Sequence, residues 1–236
     1  MTYPIKLFCI PHAGGLSSIY SEWNNSVGPE IELIPVELAG RGSRFSEKCY
    51  KTINQAVDDI TEFVLKKHNN KCYAIYGHSM GAYISYEVIL KLMKLTDNLP
   101  QHLFVSGKGA PHLTKESFIS NLPDKQMIQW LNKLGGIPND LIENYELMKL
   151  FLPMIRNDYK LIENYSNKIK KKLSNVTLTV LTGKFDDSLT IREVEGWKEY
   201  SEKRVDIYQI NGGHFFINES DTEVISIVRD KLIGEN

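Results

Sequence analysis

A serine between two glycines is the feature of this chain most suited to chemistry. The segment Gly77-His78-Ser79-Met80-Gly81 follows a short apolar run, 71–76, and precedes a stretch, 82–95, whose large apolar residues have helical spacing. Between a strand and a helix, the pattern G-x-S-x-G forces a sharp turn that presents the serine hydroxyl as a nucleophile. The backbone N–H of Met80 would then point toward a developing oxyanion. The alternative is that Ser79 only caps the following helix.

A nucleophilic serine needs a general base, and the base needs an acid that orients it. His214 follows Gly212 and Gly213 after the alternating run 205–210, and the two glycines would let its ring lean over the sheet edge. We therefore predict that His214 is the base; the alternative is a loop histidine without a role. Asp186 and Asp187 both follow the strand-like run 176–181, and their spacing alone does not choose the acid between them.

A second oxyanion donor is predicted near the N-terminus. The strand-like run 6–10 leads directly into Pro11-His12-Ala13-Gly14-Gly15. A glycine-rich turn there can bring the N–H of Ala13 opposite that of Met80, because a parallel sheet collects its strand ends at one edge. The alternative is a glycine turn with no function.

The elements that must position these residues alternate along the chain. Six strand-like runs, separated by amphipathic segments, lie at 6–10, 32–36, 72–76, 102–106, 177–181 and 205–210. This alternation predicts an α/β fold with a mostly parallel sheet flanked by helices, in one domain spanning 1–236. The long gap between the fourth and fifth strands predicts a helical lid insertion at roughly 112–170, with a helical run at 143–151. Its apolar side chains fit a packing face or an acyl pocket, and packing is the favoured interpretation.

Composition narrows the function classes. The 236 residues are 42% hydrophobic with a formal net charge of −1, which gives no electrostatic reason to expect nucleic acid binding. No apolar run is long enough to span a membrane, and no signal peptide pattern is present. Cys9 and Cys72 fall in predicted core strands, so we expect buried, reduced thiols and a cytoplasmic protein. No metal-ligand spacing is readable.

The chain also resembles a known family, the type II thioesterases that accompany nonribosomal peptide and polyketide synthases. The matching blocks run almost end to end: FCIPHAGG (8–15), 20–23, AGRGSR (39–44), YGHSMGA (76–82), SGKGAP (106–111), LGGIP (134–138), LPMIRNDYKLIENY (152–165) and GGHFF (212–216). Many α/β-hydrolases carry G-x-S-x-G. The blocks PHAGG and AGRG, with LGG-x-P and LP-x-x-R-x-D in the predicted lid, make the resemblance much narrower.

The resemblance implies a catalytic triad of Ser79, Asp186 and His214, with oxyanion N–H groups from Ala13 and Met80. Asp186 is favoured because relatives carry Gly-x-x-Asp after this strand. Many then have proline where this chain has Asp187, and Ala39 stands where proline is common.

For the substrate, the resemblance implies an acyl thioester on the phosphopantetheine arm of a carrier domain, with misprimed or stalled acyl groups removed. It also implies a monomer without a cofactor of its own. Three alternatives remain open: a chain-releasing medium-chain acyl thioesterase, a small-molecule carboxylesterase, and a non-catalytic binding protein on a hydrolase scaffold.

Overall fold

Six parallel strands form the centre of the computed structural model, which describes residues 3–114, 117–136, 144–165 and 169–234. The strands are β1 (Ile5–Ile10), β2 (Ile31–Pro35), β3 (Tyr73–His78), β4 (His102–Ser106), β5 (Thr177–Gly183) and β6 (Asp206–Ile210). Their order in the sheet is β2-β1-β3-β4-β5-β6, and every adjacent pair is parallel. The predicted strands match within two residues at each end, and the predicted α/β class is confirmed.

Helices connect and cover these strands. In the described part of the chain they are α1 (Ile53–His68), α2 (Met80–Leu95), α3 (Asp124–Leu134), α4 (Tyr145–Glu163), α5 (Ile191–Glu195), α6 (Phe216–Glu219) and α7 (Asp221–Ile233). Helix α1 shows how the sequence sets such bounds. The Thr52 side chain accepts the N–H of Gln55 at the start, and Asn69 takes a left-handed conformation (φ 50°) at the end.

The sheet is buried on both faces because side chains alternate along each strand. In β1, Phe8 and Ile10 belong to the cluster that packs on α1 and α2, whereas Leu7 and Cys9 belong to the cluster on the α7 side. With both faces covered, the carboxyl-terminal edge of the sheet is where the loops after β1, β3, β5 and β6 meet.

The prediction that Cys72 is a buried core thiol was wrong. Strand β3 begins one residue later, at Tyr73, so Cys72 lies at the amino-terminal edge of the sheet and is exposed. Cys9 is buried as predicted, and burial raises the pKa of its thiol well above the usual range. Cys9, Cys49 and Cys72 all lie in described segments, and all are free thiols.

The segment between β4 and β5 forms a third apolar cluster. Its buried members are Met127, Ile128, Leu131, Met148, Leu152 and Ile155, from α3 and α4. This agrees with the packing interpretation, although Leu147 remains 39% exposed. Arg156 of α4 fastens the two helices together by donating to the carbonyl of Leu122 (2.8 Å) and to the carboxylate of Asp124 (2.8 Å).

Helix α4 differs from the predicted run at 143–151. Residue 143 lies outside the described residues, and the helix begins at Tyr145, where the side chain of Asn144 accepts the N–H of Leu147 (3.1 Å). It then continues to Glu163 through Pro153. A proline removes one backbone donor, and the burial of Leu152 and Ile155 on either side offsets that loss.

Within the described segments, no helix combines the length and the apolar character that a membrane crossing requires.

Candidate active site

Ser79 occupies a strained turn between β3 and α2. Its backbone lies at φ 53° and ψ −111°, a region that residues with a side chain rarely adopt. Two close approaches explain the flanking glycines. A Cβ on Gly77 would lie 2.2 Å from the carbonyl oxygen of Gly81, and a Cβ on Gly81 would lie 2.2 Å from that of Ile10. The Ser79 side chain makes no capping hydrogen bond to α2, so the capping interpretation is wrong.

The strain at Ser79 predicts a stability difference between two inactive variants. Alanine keeps the unfavourable positive φ, whereas glycine adopts it freely. Strain of this kind destabilises the folded alanine variant by about 1–3 kcal/mol, and glycine relieves it. Glycine also gives the unfolded chain more conformational freedom, which lowers the free energy of unfolding by about 0.4–1 kcal/mol. We expect Ser79→Gly to have a free energy of unfolding about 1 kcal/mol above that of Ser79→Ala in urea titrations. If the turn carries no strain, Ser79→Gly would instead be less stable than Ser79→Ala by about 0.4–1 kcal/mol, because only the unfolded-chain effect would remain.

His214 reaches Ser79 from the loop after β6. Its Nε2 lies 3.2 Å from the Ser79 Oγ, and the ring is 7% exposed. The loops after β5 and β6 lie against each other, because a Cβ on Gly183 would be 2.0 Å from the carbonyl oxygen of Gly213. The N–H of Phe185 donates to the carbonyl of Gly212 (3.0 Å) across the same contact. Glycines at this junction therefore allow the His214 ring to reach the serine.

Asp186, and not Asp187, contacts the histidine. The Asp186 Oδ2 lies 2.7 Å from the His214 Nδ1, and Asp187 is exposed. The other oxygen, Oδ1, accepts the backbone N–H of Ser188 (3.0 Å) and its hydroxyl (2.5 Å). Burial by itself would raise the pKa of Asp186. The hydrogen bond and charge of His214 and the hydrogen bonds from Ser188 have a larger, opposite effect, so the pKa lies below its usual value. The carboxylate is therefore ionised and can hold one tautomer of the histidine.

The loop after β1 brings backbone donors to the same place. The N–H of Gly15 donates to the carbonyl of His12 (3.0 Å) and closes a tight turn around Ala13. None of the described residues accepts a hydrogen bond from the Ala13 N–H. Met80 is the first residue of α2, so its N–H has no partner within the helix. The contact of Gly81 with Ile10 holds this helix start beside the loop.

Comparison with known proteins decides the family. The sequence profile of the thioesterase domain matches residues 5–232. The chain belongs to the thioesterase family.

Among its relatives, the gramicidin S biosynthesis protein GrsT of Aneurinibacillus migulanus is 34% identical over 97% of this chain and 89% of its own length. The medium-chain S-acyl fatty acid synthase thioesterase of Rattus norvegicus is 32% identical over 92% of this chain and 83% of its own. The solved structure of YbtT, a type II thioesterase from the yersiniabactin NRPS/PKS biosynthetic pathway, superposes with a TM-score of 0.85 at 27% identity and covers 97% of this chain and 92% of that one. The predicted thioesterase and its resemblance to the type II group are confirmed.

Two further buried histidines of this thioesterase lie near the site, His78 against His214 and His12 against the neighbouring Phe215. The ring centroid of His78 lies 5.4 Å from that of His214, and the ring of His12 lies 4.7 Å from that of Phe215. Burial, with a smaller contribution from the charge of His214, lowers the pKa of His12 to about 3 and the pKa of His78 well below its usual value. Both rings are therefore neutral at neutral pH and do not oppose an imidazolium at His214.

Buried neutral histidines predict an acid-sensitive thioesterase. Burial also lowers the pKa of His102 to about 4. Each such histidine binds a proton in the unfolded chain near pH 6.5 but not in the folded protein, so the free energy of unfolding falls as pH drops below about 6.5 and is level above it. Between pH 6.5 and 5.5 we expect a loss of about 1 kcal/mol for each of His12, His78 and His102. Urea unfolding measured across pH 5.5–7.5 tests this, and an unchanged midpoint would contradict it.

A cavity of about 40 Å³ lies between the Ala13 loop and the cluster of α3 and α4. Its walls are His12, Ala13, Gly14, Leu131, Leu134, Gly136, Ile155, Tyr159 and Phe215. A larger surface depression runs along β6, but Ser79, His214 and Asp186 do not line it. These three residues do not line the cavity beside the Ala13 loop either, and the walls of that cavity are mostly apolar.

No group of three or more histidine, cysteine or carboxylate side chains in the described part of the thioesterase is arranged to hold a metal ion.

Sequence reasoning did not identify Ser188. The spacing Asp-x-Ser is a signal that could have found it, because an aspartate side chain commonly accepts the backbone N–H two residues later. The roles of Arg41 and Asp158 also went unassigned, although both lie in the AGRG and LP-x-x-R-x-D blocks.

Proposed function

We propose that this thioesterase hydrolyses acyl thioesters on the phosphopantetheine arm of carrier domains and removes misprimed or stalled acyl groups. The observation that carries the proposal is the hydrogen-bonded series Ser79–His214–Asp186 in a chain related along nearly its whole length to a type II thioesterase of an NRPS/PKS pathway. A serine hydroxyl next to a histidine fits acyl transfer from a thioester to the enzyme and then to water.

In the proposed mechanism, the Nε2 of His214 takes the Ser79 proton while the Ser79 oxygen attacks the thioester carbonyl. The N–H groups of Ala13 and Met80 bind the oxyanion. The carbon–sulfur bond breaks, the pantetheine thiol leaves with the proton from His214, and an acyl-Ser79 ester remains. A water molecule that gives its proton to His214 then releases the acid and restores Ser79. Asp186 holds the histidine tautomer and stabilises the imidazolium.

The proposal also includes the organisation of the enzyme. One α/β-hydrolase domain spans 1–236, and an insertion at roughly 112–170, which includes α3 and α4, acts as a lid over the site. The enzyme needs no metal or cofactor of its own, because the carrier domain brings the phosphopantetheine. We further propose a monomer that acts in the cytoplasm without membrane or nucleic acid partners; three free thiols support a reducing compartment.

A second candidate is release of medium-chain fatty acids, because the rat relative is named a medium-chain fatty acid synthase thioesterase. The editing role is favoured by the likeness to YbtT, a type II thioesterase of an NRPS/PKS pathway, which covers 97% of this chain.

The test is hydrolysis of a carrier protein loaded with acetyl, hexanoyl or decanoyl phosphopantetheine, followed by intact mass. Acyl-CoA and p-nitrophenyl esters serve as comparison substrates. Rapid release of acetyl from the carrier is the expected result. Preferential release of decanoyl would establish the second candidate, and fast ester hydrolysis with the carrier left loaded would make the enzyme a small-molecule carboxylesterase. Binding of the carrier without any turnover would leave the non-catalytic alternative.

A further inference from the structure

Two blocks of the sequence, AGRG and LP-x-x-R-x-D, meet at a buried ion pair. Arg41 lies in the loop after β2, and Asp158 lies on α4. The Arg41 Nη1 lies 2.6 Å from the Asp158 Oδ2, and its Nη2 lies 2.8 Å from the Oδ1. Their side chains are 1% and 0% exposed. Two parallel charge-assisted hydrogen bonds of this kind are stronger and more specific in geometry than neutral ones.

The pair also holds the loop that contains Ala13. The Asp158 Oδ2 accepts the backbone N–H of Gly14 (2.8 Å), and the Arg41 Nη1 donates to the carbonyl of Gly15 (3.3 Å). Ile155, one turn earlier on α4, packs so closely that a Cβ on Gly14 would lie 2.8 Å from its Cγ1. Helix α4 therefore supports this loop by both hydrogen bonding and packing.

These contacts fix the direction of the Ala13 N–H. A peptide unit is planar, so one hydrogen bond orients both its N–H and its C=O. The peptide before Ala13 is held through the His12 carbonyl, which accepts the Gly15 N–H. The peptide after Ala13 is held through the Gly14 N–H, which donates to Asp158. Because the peptide units on both sides of Ala13 are held, the Ala13 N–H has a single orientation. It has no hydrogen-bond partner among the described residues.

We propose that Asp158 is a positioning residue for catalysis, which sets the Ala13 N–H as an oxyanion donor through its hydrogen bond to Gly14. Arg41 orients this carboxylate and neutralises its charge, which would otherwise repel the oxyanion nearby. The inference rests on the proposed function, because it assumes the oxyanion role of Ala13. It also assigns α4 a fixed position: lid movement that displaced Asp158 would disassemble the oxyanion site.

The physical cost of the pair supports a role beyond stability. Burying two charges is expensive, and apolar residues of similar volume often replace such pairs without loss of stability. Removing one partner alone is strongly destabilising, because it leaves a buried charge uncompensated. Both partners must therefore be changed together to separate folding from positioning.

The experiment compares two double variants. R41M/D158L replaces the pair with apolar side chains and removes the acceptor for the Gly14 N–H. R41M/D158N is also uncharged but keeps a carbonyl oxygen that can accept this N–H. For each variant we would measure thermal unfolding and the kcat and KM of acetyl-carrier hydrolysis. We would also measure the affinity for an alkyl trifluoromethyl ketone, which forms a tetrahedral adduct with serine.

For R41M/D158L we expect a folded enzyme whose kcat is lower by roughly 10- to 100-fold, with KM within about threefold of the wild type, since an oxyanion donor is worth about 10²–10³ in kcat. The affinity for the trifluoromethyl ketone should fall by a similar factor. R41M/D158N should regain most of the lost kcat. Arg156→Met removes contacts of the same helix with Asp124 of α3 and with the carbonyls of Ser120 and Leu122 but none with the Ala13 loop, so it is the control and should keep the wild-type kcat.

Three results would overturn the inference: a kcat of R41M/D158L within threefold of the wild type, equal losses in both double variants, or failure of R41M/D158L to fold, which would make the pair structural. These results are separable from failure of the proposed function. If the proposed function were wrong, the wild-type enzyme would not hydrolyse the acetyl-carrier, or Ser79→Ala would remain active.

Discussion

Ser79→Ala is expected to lower kcat for acyl-carrier hydrolysis by at least about 10³-fold and to leave carrier affinity nearly unchanged. The variant removes the hydroxyl oxygen that lies 3.2 Å from the His214 Nε2 and that would form the acyl ester. The backbone donors of Ala13 and Met80 remain, so residual hydrolysis above the uncatalysed rate is expected. Single-turnover release of acetyl, followed by intact mass, measures the loss.

Two observations check the interpretation of this variant. Wild-type enzyme quenched during turnover should carry a mass increase of one acyl group on Ser79, and Ser79→Ala should carry none. Circular dichroism and carrier affinity should match the wild type. More than a tenth of wild-type turnover in a folded Ser79→Ala variant would show that another group is the nucleophile.

Asp186→Asn is expected to lower kcat on the order of 10³- to 10⁴-fold, whereas Asp187→Asn should stay within about threefold of the wild type. Asp186 accepts from the His214 Nδ1 at 2.7 Å, and asparagine would favour the wrong histidine tautomer. Asp187 is adjacent and carries the same charge, but its side chain is exposed. The two variants are therefore matched in chemistry and differ in contact with the histidine.

Steady-state kinetics of both variants on the same acyl-carrier make the comparison. A large loss in Asp187→Asn beside a small one in Asp186→Asn would reverse the choice of acid. Equal small losses would show that orientation of His214 does not limit the rate. Ser188→Ala, which removes one hydroxyl hydrogen bond to Asp186, should give an intermediate loss and thereby show how firmly the carboxylate must be held.

The sequence indicates the fold and most of the candidate site, and particular residues show why. Strands such as β4 were predicted to the residue because a buried parallel strand is a short apolar run between polar loops. Ser79 and His214 stood out because each lies beside glycines at the end of such a run. Parallel strands bring these ends together however far apart they lie along the chain, here 135 residues.

Tertiary structure decided what local pattern does not encode. The spacing in the sequence does not distinguish Asp186 from Asp187. The packing of the loops after β5 and β6 at Gly183 places Asp186 against His214. The sequence predicts Cys72 to be a core residue, but β3 begins at Tyr73, which leaves Cys72 exposed at the edge of the sheet. Helix α4 continued past Pro153 because burial of its neighbours outweighs one missing backbone donor.

The pairing of Arg41 with Asp158 shows most clearly the difference between what the sequence determines and what only the tertiary structure decides. The sequence by itself determined the elements and the chemistry-bearing residues, because helix and strand periodicity and glycine turns are local properties. Only the tertiary structure decided which distant charges meet, across 117 positions, since that contact depends on how α4 packs over the loop after β1.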